Sequence, residues 1–152
     1  GIPASALAGE SDIFDCMGVG EMSSTCGGNP MASAASHAVL DVMEREKLAD
    51  NALQVGAYMM DRFREMQKKY PEIGDVRGRG LVMGLEFVED RESRTPDADM
   101  TLQVMLSAAR HGLLLGRVGL HGNVVRIAPP LVVSEAEAGA GLDIIDRVLS
   151  EL

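Results

Sequence analysis

The sequence contains no tryptophan, and its 152 residues include only three phenylalanines and two tyrosines. Hydrophobic residues still make up 46% of the chain, and ten of them are methionines. The core must therefore consist mainly of aliphatic side chains and of methionine, which packs adaptably. A chain of this length is one domain or a large piece of a longer protein, and it can bury roughly 70% of the surface of its unfolded state.

Cysteine, histidine and basic residues are also scarce. Cys16 and Cys26 have neither CxxC nor CxxH spacing, and His37, His111 and His121 have no pattern of metal ligands, so we assign no metal and no disulfide framework. The 14 basic against 23 acidic residues give a net charge of −9, which makes nucleic acid and anionic membrane surfaces poor partners. No apolar run reaches the roughly 18 residues of a membrane span. We expect a cytoplasmic protein.

The first half of the chain is predicted to be mostly helical. The small residues 1–9 predict a strand, and Glu10–Cys16 a short helix. Asn29 as N-cap and Pro30 as first helical residue mark the start of a longer helix. Apolar residues then recur at helical spacing from Leu48 to Tyr70.

The second half mixes strands and helices. Alternating residues predict a strand within 75–90. A helix is predicted to open at residues 95–97, with Leu102, Met105 and Ala109 facing inward. Two further short strands are predicted at residues 113–118 and 123–130. A capping box of Ser134 and Glu137 opens the last helix. Because the order lacks regular βαβ alternation, we predict an α/β protein of the α+β kind, with a small, mostly antiparallel sheet and helices packed on it.

Hydroxyl residues and glycines precede the helix at Pro30, in the stretch SSTCGGNP, residues 23–30. Helix N-termini attract anions, and glycines allow close approach of a ligand to the backbone. The alternative is a simple capped loop whose polar side chains satisfy nearby backbone groups. The residues alone leave both explanations open.

Arg126 interrupts the apolar run VVRIAPP and by alternation shares a face with Val124 and Ala128. It is either a solvated edge-strand residue or a guanidinium that grips a carboxylate through two parallel hydrogen bonds. Arg77 and Arg79 are predicted to be solvated or ion-paired, with Asp75 as a candidate partner.

Several blocks together resemble class III pyridoxal-phosphate-dependent aminotransferases. Residues 23–52 are similar to the segment after the cofactor lysine, with the pattern SSTCGGNP before a small-residue helix. Residues 72–90, EIGDVRGRGLVMGLEFVED, and 111–137, HGLLLGRVGLHGNVVRIAPPLVVSEAE, resemble the strands of that family's small domain. The opening GIPASALAG is similar to the strand beyond the lysine. Alanine–glyoxylate and β-alanine–pyruvate members look most similar, followed by 4-aminobutyrate aminotransferases.

The resemblance implies a fold type I transferase and gives roles to three residues. Thr25, with Ser24, would contact the phosphate of pyridoxal 5'-phosphate bound in the neighbouring subunit of a homodimer. Arg126 would hold the carboxylate of the amino-acid substrate. Cys26 departs from the family, which usually has an aromatic residue there, so packing beside the phosphate is expected to differ.

The resemblance also implies that the cofactor lysine lies upstream of Gly1, because Lys47, Lys68 and Lys69 fall on charged helix faces. We therefore expect residues 1–28 to be the edge of a large cofactor-binding domain with its phosphate-contact loop, 29–47 a linking helix, and 48–152 a C-terminal small domain. The chain alone would be inactive, and its parent would move an amino group between an amino acid and a 2-oxo acid. The alternatives are a non-catalytic dimerisation or binding module derived from that fold, and a racemase, lyase or aminomutase relative.

Overall fold

The computed structural model describes residues 2–152, which divide into two compact units, residues 2–47 and 48–152. The first unit contains two helices, α1 (Ser11–Phe14) and α2 (Pro30–Arg45). The predicted strand at residues 1–9 is wrong over residues 2–9, which have no regular structure, and Gly1 lies outside the described residues. A strand is stabilised by a hydrogen-bonded neighbour, and within residues 2–152 no strand pairs with this segment.

Helix α2 begins where the sequence predicts. The Asn29 side chain accepts a hydrogen bond from the Ala32 amide at 2.9 Å, and Pro30 occupies the first helical turn. Helix α1 is shorter than predicted, because only residues 11–14 of the expected 10–16 are helical.

The second unit is an antiparallel sheet covered by three helices. Its elements are α3 (Leu48–Lys69), β1 (Ile73–Arg79), β2 (Val82–Phe87), α4 (Ala98–Arg110), β3 (Gly116–Val118), β4 (Val124–Ile127) and α5 (Glu135–Glu151). The strand order is β1-β2-β4-β3, and all three neighbouring pairs are antiparallel. The predicted α+β fold with a small antiparallel sheet is confirmed. The single strand expected within residues 75–90 is instead a hairpin of β1 and β2.

The core of the second unit lies between one face of the sheet and the helices. Helix α3 contributes Val55, Met59, Phe63 and Met66, the sheet Met83, Leu85, Val125 and Ile127, and α5 Leu142, Ile145, Val148 and Leu149. Helix α4 turns Thr101, Val104 and Ala108 inward. Of the residues predicted to face inward, Met105 packs partly buried against the core, whereas Leu102 and Ala109 are exposed and their prediction is wrong. We call the opposite, solvent-facing side of the sheet the outer face.

Helix α3 lies directly against the β1–β2 turn at one glycine. A Cβ added at Gly56 would lie 2.5 Å from the carbonyl carbon of Gly80 and nearer still to its oxygen. Gly80 has a φ of 56°, which suits glycine in a two-residue hairpin turn. The helix and the hairpin can pack this closely only because Gly56 has no side chain.

Candidate functional site

The first candidate region is the turn before α2. The Gly27 amide donates to the Ser24 carbonyl at 3.2 Å, and the Asn29 side-chain amide donates to the Cys26 carbonyl at 2.8 Å. Gly28 has a φ of 65°, a conformation that glycine adopts without strain. These bonds fold the turn back on itself and leave Ser24 and Thr25 exposed.

The start of α2 is satisfied by its own cap. Asn29 accepts the Ala32 amide with its side chain and the Ser33 amide with its carbonyl, while Pro30 has no amide hydrogen. The capped-loop explanation therefore holds for the helix start, although the capping residue is Asn29 and not a serine or threonine. Within residues 2–152 the Ser24 and Thr25 hydroxyls make no hydrogen bond, so both can donate to a ligand.

An open depression of about 590 Å³ borders this turn within the first unit. Ser24, Gly27 and Gly28 line it, together with Ser33 from α2, whereas Thr25 is not among the lining residues. The structure thus places Ser24 at the depression, whereas Thr25 follows Ser24 in the chain without lining the depression.

The second candidate region is the outer face of the sheet around Arg126. Arg126 on β4 is paired with Gly84 on β2 and with Gly116 on β3, and Gly84 is paired with Arg77 on β1. Directly paired residues of antiparallel strands point to the same face. Arg77, Gly84, Arg126 and Gly116 therefore form one row across the outer face, and the two neighbours of Arg126 in that row have no side chain.

The two arginines of this row differ in their partners. Arg77 donates to Asp75 at 2.7 Å and also to Glu86. The hydrogen bond to Asp75, and after it the one to Glu86, raise the pKa of the Arg77 guanidinium. Arg126 is exposed, and within the described residues its side chain has no hydrogen bond and no salt bridge. The row thus has one neutralised arginine and one available to a carboxylate.

The expected pairing of Arg77 with Asp75 is present. Sequence reasoning missed the pairing with Glu86 and the two glycines that flank Arg126. The alternation of residues 82–87 places Glu86 on the face of Gly84, but the register between strands is not visible in the sequence.

An apolar cleft of about 330 Å³ within the second unit includes Arg126 in its lining. Its other charged lining residue, Glu137, is held in the capping box by the Ser134 hydroxyl at 2.7 Å and the Ser134 amide at 2.9 Å. The hydrogen bond from the Ser134 amide and, to a smaller extent, the one from its hydroxyl lower the pKa of the Glu137 carboxyl. The charge available to a ligand at this cleft is therefore that of Arg126.

None of the three lysines has the surroundings of a group that reacts as a free amine. Lys47 and Lys68 are exposed, and the Lys69 ammonium lies 3.0 Å from a carboxylate oxygen of Asp146. The Tyr70 hydroxyl, and after it Asp146, raise the pKa of Lys69. A reactive lysine needs a lowered pKa, which burial or a neighbouring cation provides.

Residues 2–152 hold no group of three or more His, Cys, Asp and Glu side chains arranged to bind a metal ion. No helix in the same range combines the length and the apolar character needed to cross a membrane. Cys16 and Cys26 are both exposed and unbridged.

Comparison with known proteins assigns the chain to a family. The family model "Aminotransferase class-III" matches residues 1–149. The chain belongs to the class-III aminotransferase family. An alanine–glyoxylate aminotransferase 2 homolog of Arabidopsis thaliana mitochondria is 38% identical over 152 residues, which are 100% of this chain and 32% of that protein. This agrees with the resemblance to alanine–glyoxylate aminotransferases.

Proteins whose names give other activities are equally similar. An alanine/serine racemase of Pyrococcus horikoshii is 40% identical over 151 residues, which are 99% of this chain and 31% of that protein. A solved phospholyase from Arthrobacter superposes with a TM-score of 0.81 at 34% identity, over 93% of this chain and 33% of that one. The chain thus spans about a third of the length of these relatives.

Proposed function

We propose that this chain is the C-terminal portion of a class-III aminotransferase that moves an amino group between an amino acid and a 2-oxo acid. The amino acid belongs to the alanine, β-alanine or 4-aminobutyrate class. The observation that carries this proposal is Arg126, an exposed guanidinium between two glycines on the outer face, with no carboxylate partner in residues 2–152.

Arg126 is proposed to bind the substrate carboxylate. Its planar guanidinium offers two parallel N–H groups that match the two oxygens of a carboxylate. Gly84 and Gly116, the residues paired with Arg126, have no side chain, and the place of a Cβ at Gly116 is open, so a ligand can approach from the outer face on that side. Binding there would fix one end of the amino acid and so orient its amino group.

Ser24 and Thr25 are proposed to contact the phosphate of pyridoxal 5'-phosphate held mainly by the neighbouring subunit of a homodimer. Their hydroxyls, exposed beside a glycine turn, fit a phosphate, which accepts hydrogen bonds from neutral donors. The bound cofactor would withdraw electrons from the amino acid and carry its amino group between the two substrates.

The lysine that holds the cofactor is proposed to lie outside this chain, since Lys47, Lys68 and Lys69 are all at the surface and Lys69 is paired with Asp146. In this proposal residues 1–28 belong to the cofactor-binding domain, 29–47 form a linking helix and 48–152 form the small domain, which fits the division of the structure after Lys47. The chain alone would then be inactive. We also propose a cytoplasmic location for the parent enzyme.

Product analysis of the full-length gene product tests this function. The enzyme is incubated with the cofactor, with one 15N-labelled amino donor (alanine, β-alanine or 4-aminobutyrate) and with pyruvate or glyoxylate as acceptor. We expect the label in the amino acid formed from the 2-oxo acid, and with donor alone we expect pyridoxamine phosphate to accumulate. The 152-residue chain in the same assay is the matched control and should give neither product.

Other outcomes replace the proposal by one of its rivals. Inversion of alanine without label transfer would identify a racemase, and release of ammonia from the donor without label transfer would identify a lyase. A full-length product that binds no cofactor would indicate a non-catalytic module on the same fold.

A further inference from the structure

Glu86 lies close enough to Arg126 to compete with a substrate for it. Glu86 is paired with Val124 on β4, and Gly84, two residues before it, is paired with Arg126. Glu86 and Arg126 are therefore diagonal neighbours on the outer face, whose backbone positions are about 7–8 Å apart, within reach of two long side chains. Gly84 itself has no side chain, and the nearest atom to the place that its Cβ would take is Cγ1 of Val124, at 3.1 Å.

Glu86 is instead bound to the arginine on its other side. Arg77 on β1 donates to Glu86 and to Asp75, so both acidic residues of this part of the outer face are held by one guanidinium. Arg77 lies in the same row as Arg126, about 10 Å away across β2. Glu86 thus has two arginines in reach, and its hydrogen bond goes to Arg77.

We infer that Arg77 is a positioning residue that keeps Glu86 away from Arg126 and so leaves the Arg126 guanidinium open for the substrate carboxylate. Without Arg77, Glu86 would turn to Arg126, and a substrate would have to displace it before binding. This inference rests on the proposed function, because it assumes that Arg126 binds the substrate carboxylate.

The charges account for the direction of the effect. Asp75 and Glu86 together carry two negative charges, and Arg77 neutralises one of them while both are bound to it. Its removal leaves two carboxylates on the outer face, with Arg126 as the cation diagonal to Glu86. An exposed pair of this kind contributes little to folding, so Arg77→Ala is expected to fold normally.

The test is a kinetic comparison of variants of the full-length gene product loaded with cofactor. Each variant is assayed with β-alanine, which carries a carboxylate, and with propylamine, which does not. For Arg77→Ala we expect the KM for β-alanine to rise about fivefold, the upper range for an exposed ion pair. The kcat and the KM for propylamine should stay near the wild-type values.

A second substitution separates competition by Glu86 from general damage. The double variant Arg77→Ala/Glu86→Gln removes the competing charge. Its KM for β-alanine should return to within about twofold of the wild-type value, which is clearly less than the rise of about fivefold expected for Arg77→Ala. Arg77→Lys keeps the positive charge and should show a smaller rise than Arg77→Ala. Arg79→Ala is the matched control, because Arg79 lies on the same strand and face but makes no salt bridge with Glu86.

The outcomes distinguish this inference from the proposed function. If Arg126→Ala raises the KM for β-alanine while Arg77→Ala does not, or if the double variant is as impaired as Arg77→Ala, the positioning role is wrong and the function stands. If Arg126→Ala changes nothing for either substrate, the assignment of Arg126 is wrong, and the role of Arg77 is wrong with it.

Discussion

Replacing Gly56 by alanine should destabilise the second unit, although the same change usually stabilises a helix. Alanine in a helix interior is favoured over glycine by about 1 kcal/mol. The added methyl group would lie 2.5 Å from the Gly80 carbonyl carbon, whereas carbon atoms in contact are about 3.5–4.0 Å apart, so the turn or the helix must move by about 1 Å.

The atoms that must move belong to the backbone of a hairpin turn and not to a flexible side chain. Overpacking of this kind typically costs about 1–3 kcal/mol, and rigid backbone places Gly56→Ala at the upper end of that range. After subtraction of the helix preference, we expect a net loss of about 2 kcal/mol in the free energy of unfolding.

Gly141→Ala is the matched control. Gly141 lies inside helix α5, and a Cβ there would make only an ordinary contact, 3.7 Å from a methyl carbon of Leu113. This variant should therefore gain up to about 1 kcal/mol. Urea unfolding of the 152-residue chain, followed by circular dichroism, measures both variants. If Gly56→Ala unfolds at the same urea concentration as wild type or at a higher one, the close packing of α3 on the hairpin is refuted.

Two further predictions concern the cofactor contact and the response to acid. In the full-length gene product Thr25→Ala should weaken cofactor binding at least tenfold, since a hydrogen bond to a charged group contributes about 1.5–3 kcal/mol. Equilibrium dialysis measures the affinity for the cofactor, and Ser23→Ala is the control. Equal affinity of Thr25→Ala and wild type would contradict the phosphate role. Burial acts to raise the pKa of Asp146, but hydrogen bonds from Lys69 and Tyr70 outweigh it and lower the pKa. Because the folded pKa is depressed, the stability from Asp146 is present above its unfolded pKa of about 3.9 and is lost as the pH falls through the folded value. Thermal unfolding of the chain between about pH 2 and 6 should thus be less acid-sensitive in Asp146→Asn than in wild type, and identical pH profiles would contradict this.

The elements with strong local signals were predictable from the sequence. Asn29 and Pro30 mark the start of α2, Ser134 and Glu137 that of α5, and the apolar spacing from Leu48 onward gives α3. Each of these signals depends on neighbours within a few residues. Local chemistry therefore sufficed for them.

The hairpin of β1 and β2 was missed because its turn does not interrupt the pattern. Leu81 in the turn is buried, with 3% of its surface exposed, so it continues the alternation of Met83 and Leu85. The glycine at position 80 was the available sequence signal for a two-residue turn, because such turns need a positive φ, and Gly80 has one. A buried turn residue made the two strands look like one.

The surroundings of Arg126 could not be predicted from its own strand. The alternation places it on a face, but its neighbours Gly84 and Gly116 come from other strands. The pairing of Glu86 with Arg77 depends in the same way on the register between β1 and β2. Strand register follows from the folded sheet, so the row of four residues appears only in the structure.

The proposed binding of a substrate carboxylate by Arg126 is tested most directly by a double-mutant cycle in which the substrate provides one of the changes. The kcat/KM of the full-length gene product is measured for wild type and Arg126→Ala, each with β-alanine and with propylamine. We predict a coupling of about 2 kcal/mol, so that Arg126→Ala lowers kcat/KM roughly thirtyfold for β-alanine and leaves it unchanged for propylamine. An equal loss for both substrates, or no loss for either, would contradict the assignment of Arg126 to the substrate carboxylate.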